Sequence, residues 1–414
     1  MSNEQNFIRY KERRDALRER VEQAHGSGVI MLCAAIEPHT GRFRQDKNFY
    51  YYTGLQEPGA VLLLYPDDTS ELFVPFYNGV RSLWVEPEVV ADDARASLWL
   101  IDKVSYLGQQ EKGYALSPFR SLEQYKHLIH RLQEQCAVGA DLQVIGLPNC
   151  YSSVYAEQLA FLVQRELRLS QDAISMINAV VAQQRREKDA YEISCIKKAI
   201  DLTKRAQIVV RDSLHDGVAE YQLRAKLEGA MVEHGAKHLA FPSIVATGKN
   251  ATILHYTKLD SLCKNGDLVV VDIGAEYAEY ASDITRTWSV GTSSDRACDL
   301  AKTVKEIQSA VAAYAKPGIP LRKKECDASL EGYARKLLAQ KGLGHAMPHS
   351  IGHFMGLDVH DVGDAHKVLA PGDVITIEPG VYLPDEGIGI RIEDNYLITE
   401  DGAQCLSSDI PGEW

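Results

Sequence analysis

The residues best suited to chemistry in this sequence are four acids and one histidine, spread through the second half of the chain. They are Asp272, Asp283, His353, Glu378 and Glu393. An acid within an apolar strand must be paired, hydrogen-bonded or bound to a cation, because an isolated buried carboxylate is costly. A structural hydrogen bond is enough to explain any one of these acids. Taken as a set, four carboxylates and one imidazole suit two adjacent divalent cations, since four negative charges balance two +2 ions.

A pair of such ions would support hydrolysis. Two cations about 3.5–4 Å apart activate a shared water and stabilise both the attacking oxygen and the developing oxyanion. Oxygen-rich ligation favours manganese or a similar metal over one that prefers thiolates. The sequence has no GxSxG serine motif, and a metal-activated water needs no side-chain nucleophile.

Two apolar segments predict strands that place the first two acids side by side. Leu268–Ile273 is an apolar run with Asp272 near its end, and Tyr277–Trp288 is a second extended run that contains Asp283. A turn around Gly274–Glu276 would fold the two runs into a hairpin. The two carboxylates are then expected to face each other across neighbouring strands.

Two later segments predict strands for the other two acids. Asp373–Glu378 is an apolar run stopped by a Pro-Gly pair, which leaves Glu378 at the strand end. Alternation in Gly389–Tyr396 puts Arg391 and Glu393 on one face. An arginine there can hold a neighbouring carboxylate through paired hydrogen bonds, although a surface salt bridge gives the same local pattern.

Three histidines lie close together, at His349, His353 and His360. The first two have the spacing of a zincin helix, but that motif requires Glu directly after the first histidine, where this chain has Ser350. The zincin interpretation therefore fails. Each histidine alone is as well explained by a structural role, so their meaning depends on the acids around them.

The pattern of elements predicts two domains. Helices alternate with strands over the first part of the chain, where Phe49–Tyr65 is interpreted as strands around a Pro-Gly turn, and this favours an α/β domain over residues 1–171. A polar stretch, Ala182–Asp189, precedes a long amphipathic pattern. Residues 172–414 have widely separated strands, typical of an α+β domain with a mainly antiparallel sheet.

Composition excludes several classes of protein. Lys and Arg number 45 and Asp and Glu 57, for a net charge of −12, and without a basic run we expect neither nucleic acid nor membrane as a partner. No apolar run approaches the ~18 residues of a transmembrane helix. The charged first residues contain no signal core, so a cytoplasmic location is expected. Eight cysteines without a CxxC pair argue against disulfides or a zinc knot.

The motifs around the acids and histidines resemble those of the pita-bread metallopeptidases, specifically the aminopeptidase P and prolidase branch. The matching strings are ILHYT (253–257), VDIGAEYAEYASDITRTW (271–288), HSIGHFMGLDVHDVG (349–363), ITIEPGVYL (375–383) and IGIRIEDN (388–395). RQDKNFYYYTGLQEPGAVLLLY (44–65) additionally resembles the N-terminal domain of aminopeptidase P. The resemblance implies an α/β N-terminal domain followed by an α+β catalytic domain with the creatinase/aminopeptidase-like pita-bread fold.

The resemblance also implies a role for each metal-site residue. Asp283 and Glu393 match the carboxylates that bridge two ions in the family. Asp272 matches the remaining ligand of one metal site, and His353 and Glu378 match the remaining ligands of the other. Water activated by the ions would attack the scissile carbonyl, and Glu378 would assist the proton transfer.

Five further positions match residues that surround the metals in the family. His349 and His360 match histidines that bind the peptide and stabilise the tetrahedral intermediate. His255 matches a substrate-pocket histidine. Arg391 and Tyr382 match residues that orient the metal carboxylates and relay protons.

The activity implied is release of an N-terminal residue that precedes proline, from peptides with proline in the second position. The implied cofactors are two divalent ions, Mn²⁺ first and Zn²⁺ or Co²⁺ as alternatives, and the implied assembly is a homodimer or homotetramer. Prolidase activity on Xaa-Pro dipeptides is the nearest alternative. A non-catalytic pita-bread binding protein and a metal-free, creatinase-like amidinohydrolase are the others, and the retention of four clustered carboxylates disfavours both.

Overall fold

The structure is a computed structural model that divides into two compact units, Met1–Gln184 and Arg185–Trp414. The residues it describes are 3–38, 42–77, 79, 81–83, 88–89, 91, 96–110, 122–137, 141–144, 154–168, 174–323 and 328–411. The predicted domain boundary between residues 171 and 172 lies outside these residues and stays a prediction. Among the described residues, no helix is both long and apolar enough to cross a membrane.

The helices and strands are numbered in chain order. The helices are α1 (Asn3–His25), α2 (Lys47–Thr53), α3 (Lys126–Ala137), α4 (Val154–Leu167), α5 (Asn178–Arg186), α6 (Ala190–Ser213), α7 (Glu220–Glu233), α8 (Asp295–Tyr314) and α9 (Leu330–Gln340). The strands as far as the middle of the chain are β1 (Gly28–Cys33), β2 (Val61–Leu64), β3 (Ser70–Val74), β4 (Lys103–Tyr106), β5 (Asp141–Val144), β6 (Ile174–Met176), β7 (Ile244–Thr247) and β8 (Leu268–Ile273). The remaining strands are β9 (Glu276–Tyr277), β10 (Tyr280–Ala281), β11 (Ile284–Ser289), β12 (Val374–Ile377), β13 (Gly380–Leu383), β14 (Ile388–Arg391), β15 (Asp394–Ile398) and β16 (Ala403–Cys405).

In the described part of the N-terminal unit, six strands form one mixed sheet in the order β4-β3-β2-β1-β5-β6. The β1–β2 and β2–β3 pairs are antiparallel, while β1–β5, β3–β4 and β5–β6 are parallel. Met31, Leu63 and Phe73 of this sheet are buried against Leu128 and Leu132 of α3. A helix-covered sheet with parallel pairs confirms the α/β class predicted for this unit.

The prediction of a strand at Phe49 was wrong, because this segment is helix α2. The Asp46 carboxylate accepts a hydrogen bond from the Phe49 N–H at 2.8 Å and caps the first turn. Gly54, with φ of +69°, ends the helix and donates its N–H to the Tyr50 carbonyl at 2.7 Å. The aromatic residues suited a strand, but they are buried on several sides of a short helix.

All strand pairs described in the C-terminal unit are antiparallel, which confirms its predicted α+β class. The sheets have the orders β7-β8-β11, β12-β15-β16, β13-β14 and β9-β10. One buried face of α8, with Leu300 and Val304, belongs to the same core as Ile375 and Ile377 of β12. The packing of α8 in this core supports β12, the strand that Glu378 directly follows.

The two strands near Asp272 and Asp283 pair as predicted, but their connection differs. In the β8–β11 ladder Asp272 lies opposite Thr285, and Asp283 directly precedes β11. The predicted turn at Gly274–Glu276 is wrong. The chain turns instead at Ala278–Glu279, where both residues have positive φ, between the short strands β9 and β10.

Candidate metal centre

The four acids and the histidine predicted as metal ligands lie on separate elements of the C-terminal unit. Asp272 is in β8, Asp283 precedes β11, Glu378 follows β12, and Glu393 lies between β14 and β15. Asp283, His353 and Glu393 each offer one ligand atom, and these atoms lie within 4.8 Å of one another. The fold therefore brings together carboxylates and an imidazole from distant parts of the sequence.

The imidazole of His353 is oriented as a metal-binding ring would be. Its Nδ1 lies 3.0 Å from the Phe354 carbonyl oxygen, and because a carbonyl only accepts, Nδ1 carries the proton. In the neutral ring Nε2 then has a free lone pair. This atom is 3.4 Å from Asp283 Oδ2 and 3.7 Å from Glu378 Oε1. A lone pair facing two carboxylates suits a shared cation.

Arg391 connects the acid of β8 to two neighbouring hydroxyl groups. Its guanidinium donates to Asp272 Oδ2 at 2.6 Å, to the Tyr382 hydroxyl at 2.7 Å and to Thr285 Oγ1 at 3.0 Å. The guanidinium thus contacts a carboxylate, as predicted. It does not make the predicted pair of hydrogen bonds to one carboxylate, but donates one hydrogen bond to each of three partners. One oxygen of Asp272 is fixed while Oδ1 accepts no hydrogen bond from a described residue.

Two threonines orient candidate ligands and were not found by sequence reasoning. Thr285 Oγ1 donates to Glu393 Oε2 at 2.8 Å. Thr376 Oγ1 accepts the N–H of His353 at 3.1 Å and donates to Glu378 Oε1 at 3.3 Å. Each threonine lies two residues from a candidate acid, so the strand alternation that placed the acids was a usable signal.

Asn395 is a third residue that the sequence analysis missed. Its Nδ2 donates to the Asp283 carbonyl at 2.6 Å, and its Oδ1 accepts the Asp283 N–H at 3.3 Å. The amide therefore fixes the main chain of Asp283 from both sides. No local signal identifies this role, because it depends on how β15 lies beside β11.

The acids repel one another in their present surroundings. Burial raises the pKa of Asp283 well above its ordinary value, and the charges of Asp272 and Glu378 add to the effect. Burial also raises the pKa of Glu393, with a further contribution from Asp283. The pKa of Glu378 is raised by burial too. Among the described residues, Arg391 is the one cation hydrogen-bonded to these carboxylates, so the cluster has an excess of negative charge.

The three other predicted histidines lie around this cluster. His349 Nδ1 donates to the Ser350 carbonyl at 2.8 Å, Nε2 is buried without a hydrogen bond among the described residues, and burial lowers the pKa of the ring to about 4. The rings of His360 and His353 are arranged edge to face, with their centroids 4.3 Å apart. Loss of hydration lowers the pKa of His360 to about 4, and electrostatic interactions with His353 and His255 add to this effect.

The residues present fit divalent cations. Oxygen donors predominate, the Oδ1 atoms of Asp272 and Asp283 are buried without hydrogen bonds from described residues, and the free lone pair of His353 faces the acids. Two +2 ions would offset the excess negative charge. Contacts thus link nine of the ten predicted site residues in one region, with Asp272, Asp283, His353, Glu378 and Glu393 at its centre. The tenth, His255, interacts electrostatically with His360.

Comparison with known proteins places the chain among peptidases. The profile of metallopeptidase family M24 matches residues 194–400, and that of the aminopeptidase P N-terminal domain matches residues 10–115. Mouse Xaa-Pro aminopeptidase 3 is 32% identical, over 91% of this chain and 76% of that protein. Xaa-Pro aminopeptidase of Escherichia coli K12 is 30% identical, over 97% of this chain and 94% of that protein. A solved structure of E. coli aminopeptidase P, a low-pH form, superimposes with a TM-score of 0.82 at 26% identity and covers 98% of this chain and 96% of its own. The chain belongs to the aminopeptidase P (Xaa-Pro aminopeptidase) family of M24 metallopeptidases and has their pita-bread catalytic fold.

Proposed function

We propose that this protein is a dinuclear-metal Xaa-Pro aminopeptidase that hydrolyses the bond between an N-terminal residue and a following proline. The observation that carries the proposal is the largely buried cluster of four carboxylates and one imidazole, found in a chain that matches this family from its N-terminal domain to its catalytic domain. The match over both domains also favours an aminopeptidase over the prolidase alternative.

The five central residues would hold the cations. Asp272, Asp283, His353, Glu378 and Glu393 would together supply the ligands, as the family resemblance implies. When bound, a pair of divalent ions supplies a nucleophilic water at neutral pH and stabilises negative charge on the scissile carbonyl oxygen. Thr285 holds the Glu393 carboxylate in place by its hydrogen bond to Oε2.

Glu378 would carry out the proton transfer in the reaction. Its carboxylate lies at the end of β12, with Oε1 hydrogen-bonded to Thr376, and can accept a proton from the attacking water and return it to the proline nitrogen that leaves. Arg391 keeps Asp272 and the Tyr382 hydroxyl in fixed positions.

The histidines would bind the peptide. His349 Nε2 is an acceptor, since Nδ1 donates to the Ser350 carbonyl, and it can receive an N–H of the substrate. His360 would contact the peptide and stabilise charge on the tetrahedral intermediate, and His255 would contribute to the substrate pocket. These roles follow from the family resemblance and the proximity of the rings.

We further propose Mn²⁺ as the metal, a homodimer or homotetramer as the assembly and the cytoplasm as the location. Oxygen-rich ligation supports the choice of manganese, and elemental analysis of protein purified without added metal tests it. Light scattering tests the assembly against the 46.0 kDa mass of one chain. The cytoplasmic location stays a prediction, to be tested by cell fractionation.

A cleavage panel tests the proposed activity. Protein loaded with Mn²⁺ is incubated with an Xaa-Pro-Yaa tripeptide, the corresponding Xaa-Pro dipeptide and an Xaa-Ala-Yaa control, and release of the first residue is followed by chromatography. We expect release from the Xaa-Pro-Yaa peptide and little from the alanine control. Cleavage restricted to the dipeptide would indicate a prolidase. No cleavage together with no bound metal would indicate a binding protein.

Replacement of His360 separates peptide binding from metal binding. For His360→Ala we expect kcat to fall by about 100-fold, the scale of losing one donor to the developing oxyanion, while metal content stays at the wild-type value. Steady-state kinetics and elemental analysis of the same preparation measure the two quantities. Loss of metal from this variant would contradict the role assigned to His360.

A further inference from the structure

Three buried cations at the start of the C-terminal unit, Arg185, Arg186 and Lys188, form what we call the basic cluster. They come from the polar stretch Ala182–Asp189, to which the sequence analysis gave no function. Their side chains are 3%, 9% and 1% exposed. Lysine and arginine are rarely buried this far unless paired, so the partners of the cluster indicate its role.

Two cations of the basic cluster fix both oxygens of one carboxylate. Lys188 Nζ donates to Asp361 Oδ2 at 3.0 Å, and Arg185 donates to Asp361 Oδ1 at 2.5 Å and to Asp358 at 2.7 Å. The side chain of Asp361 is 1% exposed. Burial raises the pKa of Asp361, but Lys188 and Arg185 outweigh this and hold it below its ordinary value.

The third cation holds the same loop at both ends. Arg186 makes two hydrogen bonds of 2.6 Å to the Asp373 carboxylate and one of 2.7 Å to the Val368 carbonyl. Its guanidinium also lies 5.1 Å from the centre of the Phe354 ring. The basic cluster therefore contacts the loop between Phe354 and Asp373 at its beginning, middle and end.

Asp361 directly follows His360, so fixing the acid restricts the histidine. The Asp361 N–H donates to the Phe354 carbonyl at 2.9 Å, which closes the turn that brings the His360 ring to 4.3 Å from His353. A Cβ on Gly356 would lie 2.0 Å from Asp361 Oδ2 and 2.9 Å from Lys188 Cε. The packing inside this turn leaves no room for Asp361 to shift toward Gly356.

We propose that Lys188 and Arg185 are positioning residues for His360, which they hold against the metal centre through Asp361. The proposal rests on the proposed function, because His360 needs a fixed position only if it meets a peptide there. A buried ion cluster can also serve stability alone, and breaking it by removing one partner is destabilising in either case. If the cluster positions His360, its loss lowers activity only in a protein that has His360. If the cluster serves stability alone, its loss has the same effect on activity with or without His360.

The experiment is a double-mutant cycle. Lys188→Met removes one cation and Asp361→Asn removes the carboxylate charge with little change of shape. Each is made in the wild-type chain and in the His360→Ala variant, and kcat and KM are measured on an Xaa-Pro-Yaa peptide with Mn²⁺. We expect each single variant to lose about 10-fold in kcat/KM, within the roughly 100-fold that a 1 Å misplacement causes. In the His360→Ala background neither change should cost more than twofold. Equal losses in both backgrounds, or no loss at all, would overturn the proposal.

A control and a second readout separate positioning from stability. Val210→Ala removes two methyl groups from the buried face of α6, far along the helix from Lys188. We expect it to lower the melting temperature without changing kcat/KM at 25 °C. If Lys188→Met does not fold, Asp361→Asn alone completes the test.

The second readout does not require activity. With ¹³C-labelled histidine, the ring resonance of His360, assigned by its absence in His360→Ala, is recorded for each folded variant. We expect Asp361→Asn and Lys188→Met to shift or broaden it, and Val210→Ala to leave it in place. An unchanged resonance in Asp361→Asn would overturn the proposal. A shifted resonance in a protein that cleaves no peptide would leave the positioning intact and refute the proposed activity.

Discussion

Glu71 in the N-terminal unit and Glu393 in the C-terminal unit are both buried acids, 3% and 2% exposed. Glu71 accepts hydrogen bonds from the Tyr65 and Ser105 hydroxyls and pairs with Lys103 at 3.1 Å and Arg131 at 3.0 Å. Burial raises the pKa of Glu71, but these donors outweigh it and leave the value low. The pKa of Glu393 is instead raised, by burial and by nearby acids.

The two acids differ in the source of the positive charge that balances them. The N-terminal unit supplies cations for its buried carboxylate from its own sequence. Around Glu393 the described structure gathers three more acids, and Arg391 is the one guanidinium that it hydrogen-bonds to their carboxylates. Arg286 donates to the Glu393 main-chain carbonyl and to Asp394 instead, and the Oδ1 atoms of Asp272 and Asp283 accept no hydrogen bond from a described residue. Cations from solution would stabilise a cluster with such excess charge, which supports the proposed metal centre.

The largest expected effect comes from removing a central carboxylate. Glu393→Ala should reduce activity by more than the roughly 100-fold that loss of an outer partner of a metal ligand causes, and it should lower metal content. Glu71→Ala, measured on the folded fraction, should change neither. Kinetics and elemental analysis of both variants provide the comparison. Full metal occupancy in Glu393→Ala would break the distinction between the two acids.

Metal removal should destabilise the C-terminal unit. An ion present at 100 times its dissociation constant stabilises the folded state by about 2.7 kcal/mol for one site, so treatment with a chelator should lower the melting temperature measured by calorimetry. Restoring Mn²⁺ should reverse the change. The same melting temperature with and without chelator would mean that the acids tolerate one another without ions.

Glu71→Gln should destabilise the N-terminal unit by roughly 1–3 kcal/mol, because Arg131 and Lys103 lose their charged partner. The folded pKa of Glu71 is lowered, so its contribution is present above the unfolded value of about 4.3 and is lost as the pH falls through the folded value. Denaturant unfolding between pH 3 and 7 measures both quantities. The difference between wild type and variant should shrink toward the acid end, and a constant difference would contradict this account.

The smallest expected effect has the opposite sign. In protein stripped of metal, Glu393→Gln should raise the free energy of unfolding by about 1 kcal/mol, because it removes one of four mutually repelling charges while the amide oxygen still accepts from Thr285. Urea unfolding of the metal-free wild type and variant measures it. A loss of stability comparable to that of Glu71→Gln would show that the two acids are in similar environments.

The sequence identified the central acids and the histidine as candidates, because each lies at a recognisable place in a strand or motif. Glu378 follows an apolar run, and Asp272 interrupts another. Asn395 was missed, because its contact with Asp283 depends on which strands become neighbours. The helix at Lys47–Thr53 was missed for a different reason: Asp46 and Gly54 cap it, but the aromatic residues between them outweighed those signals. The ion cluster of Arg185 and Lys188 could not be seen, because its partner Asp361 is 173 residues beyond Lys188.

The wide spacing of the central residues also affects how the protein matures. Arg391 and Asp272, which contact each other, are 119 residues apart. In a zinc finger, by contrast, neighbouring cysteines and histidines capture the ion and drive the chain to fold. In the unfolded chain the five candidate ligands are at least 11 residues apart, so we do not expect metal to nucleate folding through them. We expect refolding rates to be insensitive to Mn²⁺. We expect the metal to bind in a separate, later step, after folding has brought the five candidate ligands together.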